Sequence, residues 1–67
     1  MTTVTFEERE FPARLRDDGL YEARYTFNSR AGWKAGFVAS RNLDNLPVLL
    51  SYQRAAAGAE LNPVELS

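Results

Sequence analysis

The chain has 67 residues, a net charge of −1 at pH 7, and neither cysteine nor histidine. A chain this short is expected to form one domain over residues 1–67, burying only about 60% of the surface that its unfolded form exposes. The missing residue types exclude disulfides, the common zinc sites and the usual catalytic triads. We therefore predict a protein that is not an enzyme and that has no metal or cofactor.

The positive charge of the chain is concentrated in its middle part. Residues 14–41 carry six basic and three acidic side chains, whereas the segments on either side are acidic. The beginning of the chain shows no basic segment followed by an apolar run, and no stretch approaches the roughly 20 apolar residues of a membrane span. We expect a cytoplasmic protein, or one of the host cytoplasm if a phage encodes it.

The first predicted strand covers residues 2–6, where β-branched and aromatic side chains dominate. The charged run at residues 7–10 is expected to be the solvated end of this strand. A second strand follows over residues 11–16. Pro12 favours an edge position for it, because proline has no N–H to donate to a neighbouring strand.

A tight hairpin is predicted at Asp17-Asp18-Gly19, since Asp and Gly tolerate the positive φ angles of such turns. Strands over residues 20–27 and 33–40 follow, separated by a loop at residues 28–32, and the former strand should be central. Read at every second position, the three strands after Glu10 present an apolar ladder, which is typical of a half-buried sheet. The ladder consists of Phe11, Ala13, Leu15, Tyr21, Ala23, Tyr25, Phe27, Trp33, Ala35, Phe37 and Ala39.

A helix is predicted over residues 44–57. Asp44 is a candidate N-cap, Pro47 fits the first turn, and Gly58 is a candidate C-terminal stop. An apolar stripe along this helix should pack on the sheet. The stripe consists of Leu43, Leu46, Leu49, Leu50, Gln53 and Ala57. Residues 59–67 then form either a short extra edge strand or a docked, extended tail.

These elements predict an α+β fold: a three- or four-stranded antiparallel meander with one α-helix packed on its apolar face. The predicted core consists of Tyr25, Phe27, Trp33, Phe37, Leu46 and Leu50. The opposite face of the sheet should then be basic. Its predicted side chains are Arg14, Arg16, Arg24 and Lys34, with Arg30 and Arg41 at the strand ends.

The basic sheet face has two functional interpretations besides that of an ordinary solvated surface. It suits an acidic protein surface or the phosphates of a nucleic acid. Proteins that bind single strands also present aromatic side chains on such a face. The aromatic residues are predicted on the other, apolar face here, so a solvated face in which Glu22 pairs with a neighbouring arginine is favoured over nucleic-acid binding.

The helix has more apolar surface than one sheet requires. Val48, Tyr52 and Ala55 flank or oppose the stripe and form what we call the helix flank. Either a terminal segment covers it, or it contacts a second copy or another protein, with Tyr52 as the anchor.

The function favoured by these patterns is that of a small non-enzymatic protein-binding module, either an adaptor or an inhibitor of a larger partner. Stand-alone chains of this size are frequent in phages and mobile elements, and an inhibitor of a host enzyme or defence complex is therefore one form of this hypothesis. The alternative is a nucleic-acid-binding domain that uses the basic face. We expect either a homodimer or a monomer that needs its partner, in both cases associating through the helix flank. Edge-to-edge pairing of two sheets is the competing geometry, and Pro12 and the charges of residues 7–10 oppose it on that side.

Overall fold

A four-stranded antiparallel sheet and one helix make up the fold. The computed structural model describes residues 2–66, so Met1 and Ser67, the last residue of the predicted tail, lie outside the described residues. The strands follow one another across the sheet in chain order: Thr2–Phe6 (β1), Arg9–Leu15 (β2), Tyr21–Ser29 (β3) and Gly32–Ser40 (β4). The helix is Leu46–Ala57 (α1), and a fifth, two-residue strand, Asn62–Pro63 (β5), pairs with β3. The predicted α+β class and the meander are confirmed.

The turn between β2 and β3 is the predicted Asp17-Asp18-Gly19 hairpin. The Gly19 N–H donates to the Arg16 carbonyl at 3.1 Å, and the Arg16 N–H donates to the Leu20 carbonyl at 2.8 Å. Gly19 has a φ of 87°, a conformation that glycine adopts without a steric penalty. The Asp18 carboxylate accepts a hydrogen bond from the Leu20 N–H at 3.1 Å, so the aspartate also stabilises the turn.

The charged run after β1 is itself a hairpin turn rather than a simple strand end. Glu7 and Glu8 connect the paired residues Phe6 and Arg9, and their φ angles are 52° and 66°. Two-residue hairpin loops favour positive φ, because this backbone twist matches that of the flanking strands, but they usually contain Asn or Gly. In glutamate the Cβ makes the left-handed conformation cost roughly 1–2 kcal/mol per residue.

β2 lies inside the sheet, and its predicted edge position is wrong. It pairs with β1 on one side and with β3 on the other. Pro12 faces Thr3 of β1, whereas the pairing with β3 begins only at Ala13. The proline is tolerated because it lies in the part of β2 that β3 does not pair with.

The loop between β3 and β4 is shorter than predicted. Pairing continues as far as Ser29 and Gly32, so only Arg30 and Ala31 connect the strands instead of residues 28–32. With a five-residue loop, odd-numbered residues of β3 would face odd-numbered residues of β4. With two loop residues, odd faces even, and every side chain of β4 moves to the other face of the sheet.

This register makes the predicted core positions of Trp33 and Phe37 wrong. The face of the sheet that packs against α1 carries Tyr25 and Ala23, and we call it the covered face. We call the opposite face of the sheet the open face. Gly36 lies beside Tyr25 and Val38 beside Ala23, so β4 presents glycine and valine, and not an aromatic residue, to the covered face above the core. Trp33 and Phe37 lie on the open face, with exposed fractions of 67% and 57%.

The core lies between the covered face and α1. Its largest fully buried side chains are Phe11, Leu46, Leu50 and Leu61. Tyr25 is also buried, and the half-buried Phe27 packs against this cluster. The core roles predicted for Tyr25, Leu46 and Leu50 are therefore confirmed, and Phe27 borders the core.

Tyr25 occupies the space that a side chain at position 36 would need. A methyl group at Gly36 would lie 2.5 Å from the Tyr25 hydroxyl oxygen. This hydroxyl donates a hydrogen bond to Gln53 Oε1 of α1 at 3.1 Å. Burial raises the pKa of the Tyr25 hydroxyl above its ordinary value, because the phenolate would lose its hydration.

The helix begins two residues later than predicted, and Asp44 is not its N-cap. Residues 43–45 form a short 3₁₀ turn that contains Asp44, and Asn45 occupies the cap position without a side-chain hydrogen bond. Pro47 lies in the first turn as predicted. Gly58 ends the helix in a left-handed conformation with φ 66°, and its N–H donates to the Arg54 carbonyl.

The segment after α1 returns to the sheet. β5 pairs with β3 at Tyr25 and Thr26, beyond the residues that β2 pairs with. Arg9 fastens this segment, because its Nη1 donates to Glu60 Oε1 at 2.8 Å, to the Leu61 carbonyl at 3.2 Å and to Asn62 Oδ1 at 2.9 Å. β3 thus has neighbours on both sides, which confirms its predicted central position.

Candidate functional site

The open face of the sheet combines exposed aromatic side chains with arginines. On β4, the register places Trp33 and Phe37 there, and on β3 it places Arg24 in direct opposition to Phe37. Directly opposite residues of an antiparallel pair have Cβ atoms about 4.5–5.5 Å apart, so these two side chains are close neighbours. Asn28 lies opposite Trp33.

An ion-paired group of Arg16, Arg24, Asp18 and Glu22 fixes two of the arginines on this face. Glu22 is buried, with 6% of its surface exposed. Its carboxylate accepts from Arg24 Nε at 2.6 Å and from Arg16 Nη1 at 3.4 Å. Arg16 also donates to Asp18 Oδ2 at 2.7 Å. A buried carboxylate needs such partners, because leaving its charge uncompensated is strongly destabilising.

The charge of the predicted basic face is therefore largely neutralised within the sheet. Arg14, Arg16 and Arg24 stand against the two carboxylates of Glu22 and Asp18, which leaves one net positive charge. Arg14, opposite Glu22 across the strands, is exposed and makes no ion pair with residues 2–66. The arginine side of the open face is thus ordered, with only a small surplus of positive charge.

Arg24 remains available to a partner although it binds Glu22. Its side chain is 50% exposed, and it uses Nε for the ion pair. The two terminal nitrogens have no hydrogen-bond partner among the described residues. Since Glu22 holds the guanidinium in place beside Phe37, an incoming carboxylate or carbonyl meets donors that are already oriented.

Lys34 does not join this group, and the prediction that it shares a face with the three arginines is wrong. It lies opposite Phe27, on the covered side of the register, where its side chain is exposed near the end of the sheet. The same one-position difference in the turn that moves Trp33 and Phe37 outward moves Lys34 away. Arg30 lies in the turn and Arg41 follows β4, as predicted, and both are exposed.

The helix flank is exposed and lies on a different side of the molecule from the open face. Val48 and Tyr52 are 52% and 65% exposed, and Ala55 is exposed as well. The buried side chains of α1, Leu46 and Leu50, point into the core. Because α1 packs on the covered face, the structure does not bring the two predicted partner-binding sets together.

Sequence reasoning missed Trp33 and Phe37 as site residues. Both β4 sets contain apolar residues, and the set with the larger side chains was assigned to the core. The signal that distinguishes the two sets is Gly36, which lies in the other set and leaves room for the aromatic ring of Tyr25.

Among residues 2–66 there is no detectable pocket and no group of three side chains that could hold a metal ion. No helix in this described part of the chain is long and apolar enough to cross a membrane. Comparisons with protein-family models, curated proteins and solved structures find no match for this chain. The candidate site is the open face.

Proposed function

We propose that this chain is a small non-enzymatic protein-binding module, an adaptor or an inhibitor, whose open face covers part of a larger partner. The observation that carries the proposal is the joint exposure of Trp33 and Phe37 beside Arg24. Tryptophan and arginine are enriched among the few residues that contribute most of the binding energy at protein interfaces.

The charge balance of the open face supports a protein as the partner. The ion-paired group is neutral and Arg14 adds one positive charge, so the face offers little of the attraction that phosphate backbones require. It offers instead two aromatic surfaces beside fixed guanidinium donors. We infer that the partner presents an apolar surface with a carboxylate or carbonyl group that reaches Arg24.

Paired variants test which surface binds. The double variant Trp33→Ser/Phe37→Ser removes the aromatic part of the open face, and Val48→Ser/Tyr52→Ser is the matched control on the helix flank. Each immobilised protein is incubated with an extract of the cells in which the chain is expressed, and the retained proteins are quantified by mass spectrometry. We expect the wild type and the helix variant to retain the same partner, which the open-face variant loses.

The affinity is then measured with the purified partner. Loss of a hot-spot aromatic residue typically costs about 2 kcal/mol or more, so the dissociation constant should rise about 30-fold or more for the open-face variant. Unchanged affinity of that variant contradicts the proposal, and loss confined to the helix variant moves the site to the helix flank.

If a phage or mobile element encodes the chain and its partner is a host complex, other phage or mobile-element genes should lie next to the gene for this chain.

A single-stranded nucleic acid is the second candidate ligand, and the placement of Trp33 and Phe37 favours it. Stacking of bases on aromatic side chains is a common mode of single-strand binding, and here both aromatic residues share a face with arginines. Fluorescence titration with an oligothymidine at two salt concentrations separates the candidates, because Trp33 is the chain's single tryptophan. Quenching of Trp33 by the oligonucleotide gives the affinity. An affinity that falls by about 0.7 decades per decade of salt for each neutralised phosphate would support nucleic-acid binding over protein binding.

A further inference from the structure

β4 is an open edge of the sheet with few of the features that protect such edges. Among residues 2–66, β4 pairs with β3 alone, and the buried side chains of α1 pack with those of the covered face. The strand has nine residues, no proline, and Lys34 as its one charged side chain. Natural proteins usually block a long edge with charges, proline or a bulge, because its unpaired N–H and C=O groups bind another strand.

We propose that a second copy of this chain pairs with β4 in antiparallel orientation, about a two-fold axis at Gly36. This pairing goes beyond the proposed function, since it uses the backbone edge of β4 and not the surface of the open face. The sequence of β4 is complementary to itself in this register. On the open face Trp33 would lie opposite Ala39 of the second copy, and Phe37 opposite Ala35 of the second copy.

This register places a large side chain opposite a small one at every open-face position, so neighbouring side chains fill space without collision. It also keeps the positive charges apart. Lys34 would lie opposite Val38 of the second copy, and the two lysines would be separated by four residue steps, about 14 Å. At physiological ionic strength the screening length is about 8 Å, so the repulsion between them is weak.

The dimer would have an eight-stranded sheet, since each copy contributes β1 to β4. Its open face would carry Trp33 and Phe37 of both copies on the two central strands. The second copy thereby enlarges the aromatic part of the surface that the proposed function assigns to the partner. The interface is the same patch on both copies, as two-fold symmetry requires.

Charge variants at Ala35 test the pairing and its register. In the proposed dimer the two copies of Ala35 are diagonal neighbours about 7–8 Å apart on one face. Ala35 is exposed in the single chain, so Ala35→Glu and Ala35→Lys should preserve the fold, checked by circular dichroism. In sedimentation equilibrium we expect the wild type to form a dimer. Either variant should raise the dissociation constant of the dimer about tenfold or more, because like charges then face each other.

An equimolar mixture of the two variants should recover the dimer, because glutamate then faces lysine. Tyr52→Glu on the helix flank is the control and should leave the dimer intact. The pairing is contradicted by a wild type that remains monomeric at millimolar concentration, by a mixture that fails to associate, or by loss of the dimer only in the Tyr52 variant.

Hydrogen exchange of the wild type gives a second measurement that needs no variant. The β4 amides that point away from β3 should exchange more slowly as the protein concentration rises, while the amides of β1 keep their rates. Exchange of all β4 amides independent of concentration overturns the proposal. Partner binding that is lost in Trp33→Ser/Phe37→Ser but kept by a wild type that sediments as a monomer would separate a failure of this dimer from a failure of the proposed function.

Discussion

The two faces of β4 differ in an unexpected way: its largest side chains face solvent, and smaller ones face the core. Toward the core the strand presents Gly36 and Val38, and toward solvent it presents Trp33 and Phe37. The covered face has no room for a side chain at position 36, because the Tyr25 ring already lies over Gly36. The space left by neighbouring strands and α1, and not hydrophobicity alone, therefore decides which residues of this strand are buried.

Truncations on the two sides should differ most clearly in stability. Leu50→Ala removes a fully buried side chain and is expected to lower the free energy of unfolding by about 2–5 kcal/mol. Phe37→Ala removes an aromatic side chain from the open face and should cost less than about 1 kcal/mol. Urea denaturation followed by circular dichroism measures both changes.

Val48→Ala is the control on the same helix, because Val48 is exposed. It should change the unfolding free energy by no more than about 0.5 kcal/mol. A loss for Phe37→Ala as large as that for Leu50→Ala would show that Phe37 belongs to the core and would contradict the comparison of the faces.

The close fit between Tyr25 and Gly36 should make position 36 intolerant of a side chain. Gly36→Ala places a methyl group within 3.0 Å of three Tyr25 atoms, and the buried ring must shift. We expect a loss of about 1–3 kcal/mol, the usual range for overpacking. Thermal denaturation of the single variants and of the double variant Gly36→Ala/Tyr25→Leu measures the coupling.

If the clash with the ring is the cause, the double variant should be more stable than the sum of the single effects implies. Additive effects would show that Gly36 is required for a reason other than the space of Tyr25.

Much of this fold is predictable from local sequence patterns, whereas the faces of β4, the inner position of β2 and the helix N-cap are not. Asp17-Asp18-Gly19, Pro47 and Gly58 mark element ends through their own backbone preferences, and the structure uses each of them as predicted. The site depends on the turn at Arg30 and Ala31, where a difference of one position reverses every side chain that follows. Residues 28–32 contain several turn-forming residues and do not specify which two form the loop.

The ion-paired group on the open face was partly predictable, because residues two positions apart on a strand share a face. Glu22 and Arg24 are two residues apart on β3, and Arg16 comes directly before the turn that leads into this strand. A pairing of Glu22 with a neighbouring arginine therefore followed from the positions of these residues in the chain. Its burial did not follow, because it depends on how the neighbouring side chains cover the carboxylate once the strands are paired.

The Glu7–Glu8 turn fixes the register of β1, as the two-residue loop between β3 and β4 fixes that of β4. A glycine in the Glu7–Glu8 turn should make the protein more stable. Glu8 has a φ of 66°, which glycine adopts without the Cβ penalty. Glu8→Gly is expected to raise the unfolding free energy by about 1 kcal/mol, measured by urea denaturation. Glu10→Gly, in the extended part of β2, is the control and should be destabilising, because glycine weakens a strand interior. A loss of stability in Glu8→Gly would contradict the left-handed turn.

The alkaline stability of the protein should reflect the buried hydroxyl on the covered face. Burial raises the pKa of Tyr25 in the folded state, so above the ordinary tyrosine value of about 10 the unfolded chain loses this proton first. The folded state then holds more protons than the unfolded state, and stability falls as the pH rises through the folded pKa. Denaturation of the wild type and of Tyr25→Phe at pH 8 to 11 should give a smaller decline for the variant. Equal declines would contradict the burial of the hydroxyl.

Acrylamide quenching of tryptophan fluorescence tests most directly whether the large residues of β4 face solvent. Trp33 is the single tryptophan of the chain, so the signal has one source. The measurement is made at a concentration where the protein sediments as a monomer, and a tryptophan peptide serves as the reference. With Trp33 67% exposed, we predict quenching close to that of the peptide and the emission of a hydrated indole. A blue-shifted emission that acrylamide barely quenches would place Trp33 in the core and contradict the assignment of the open face.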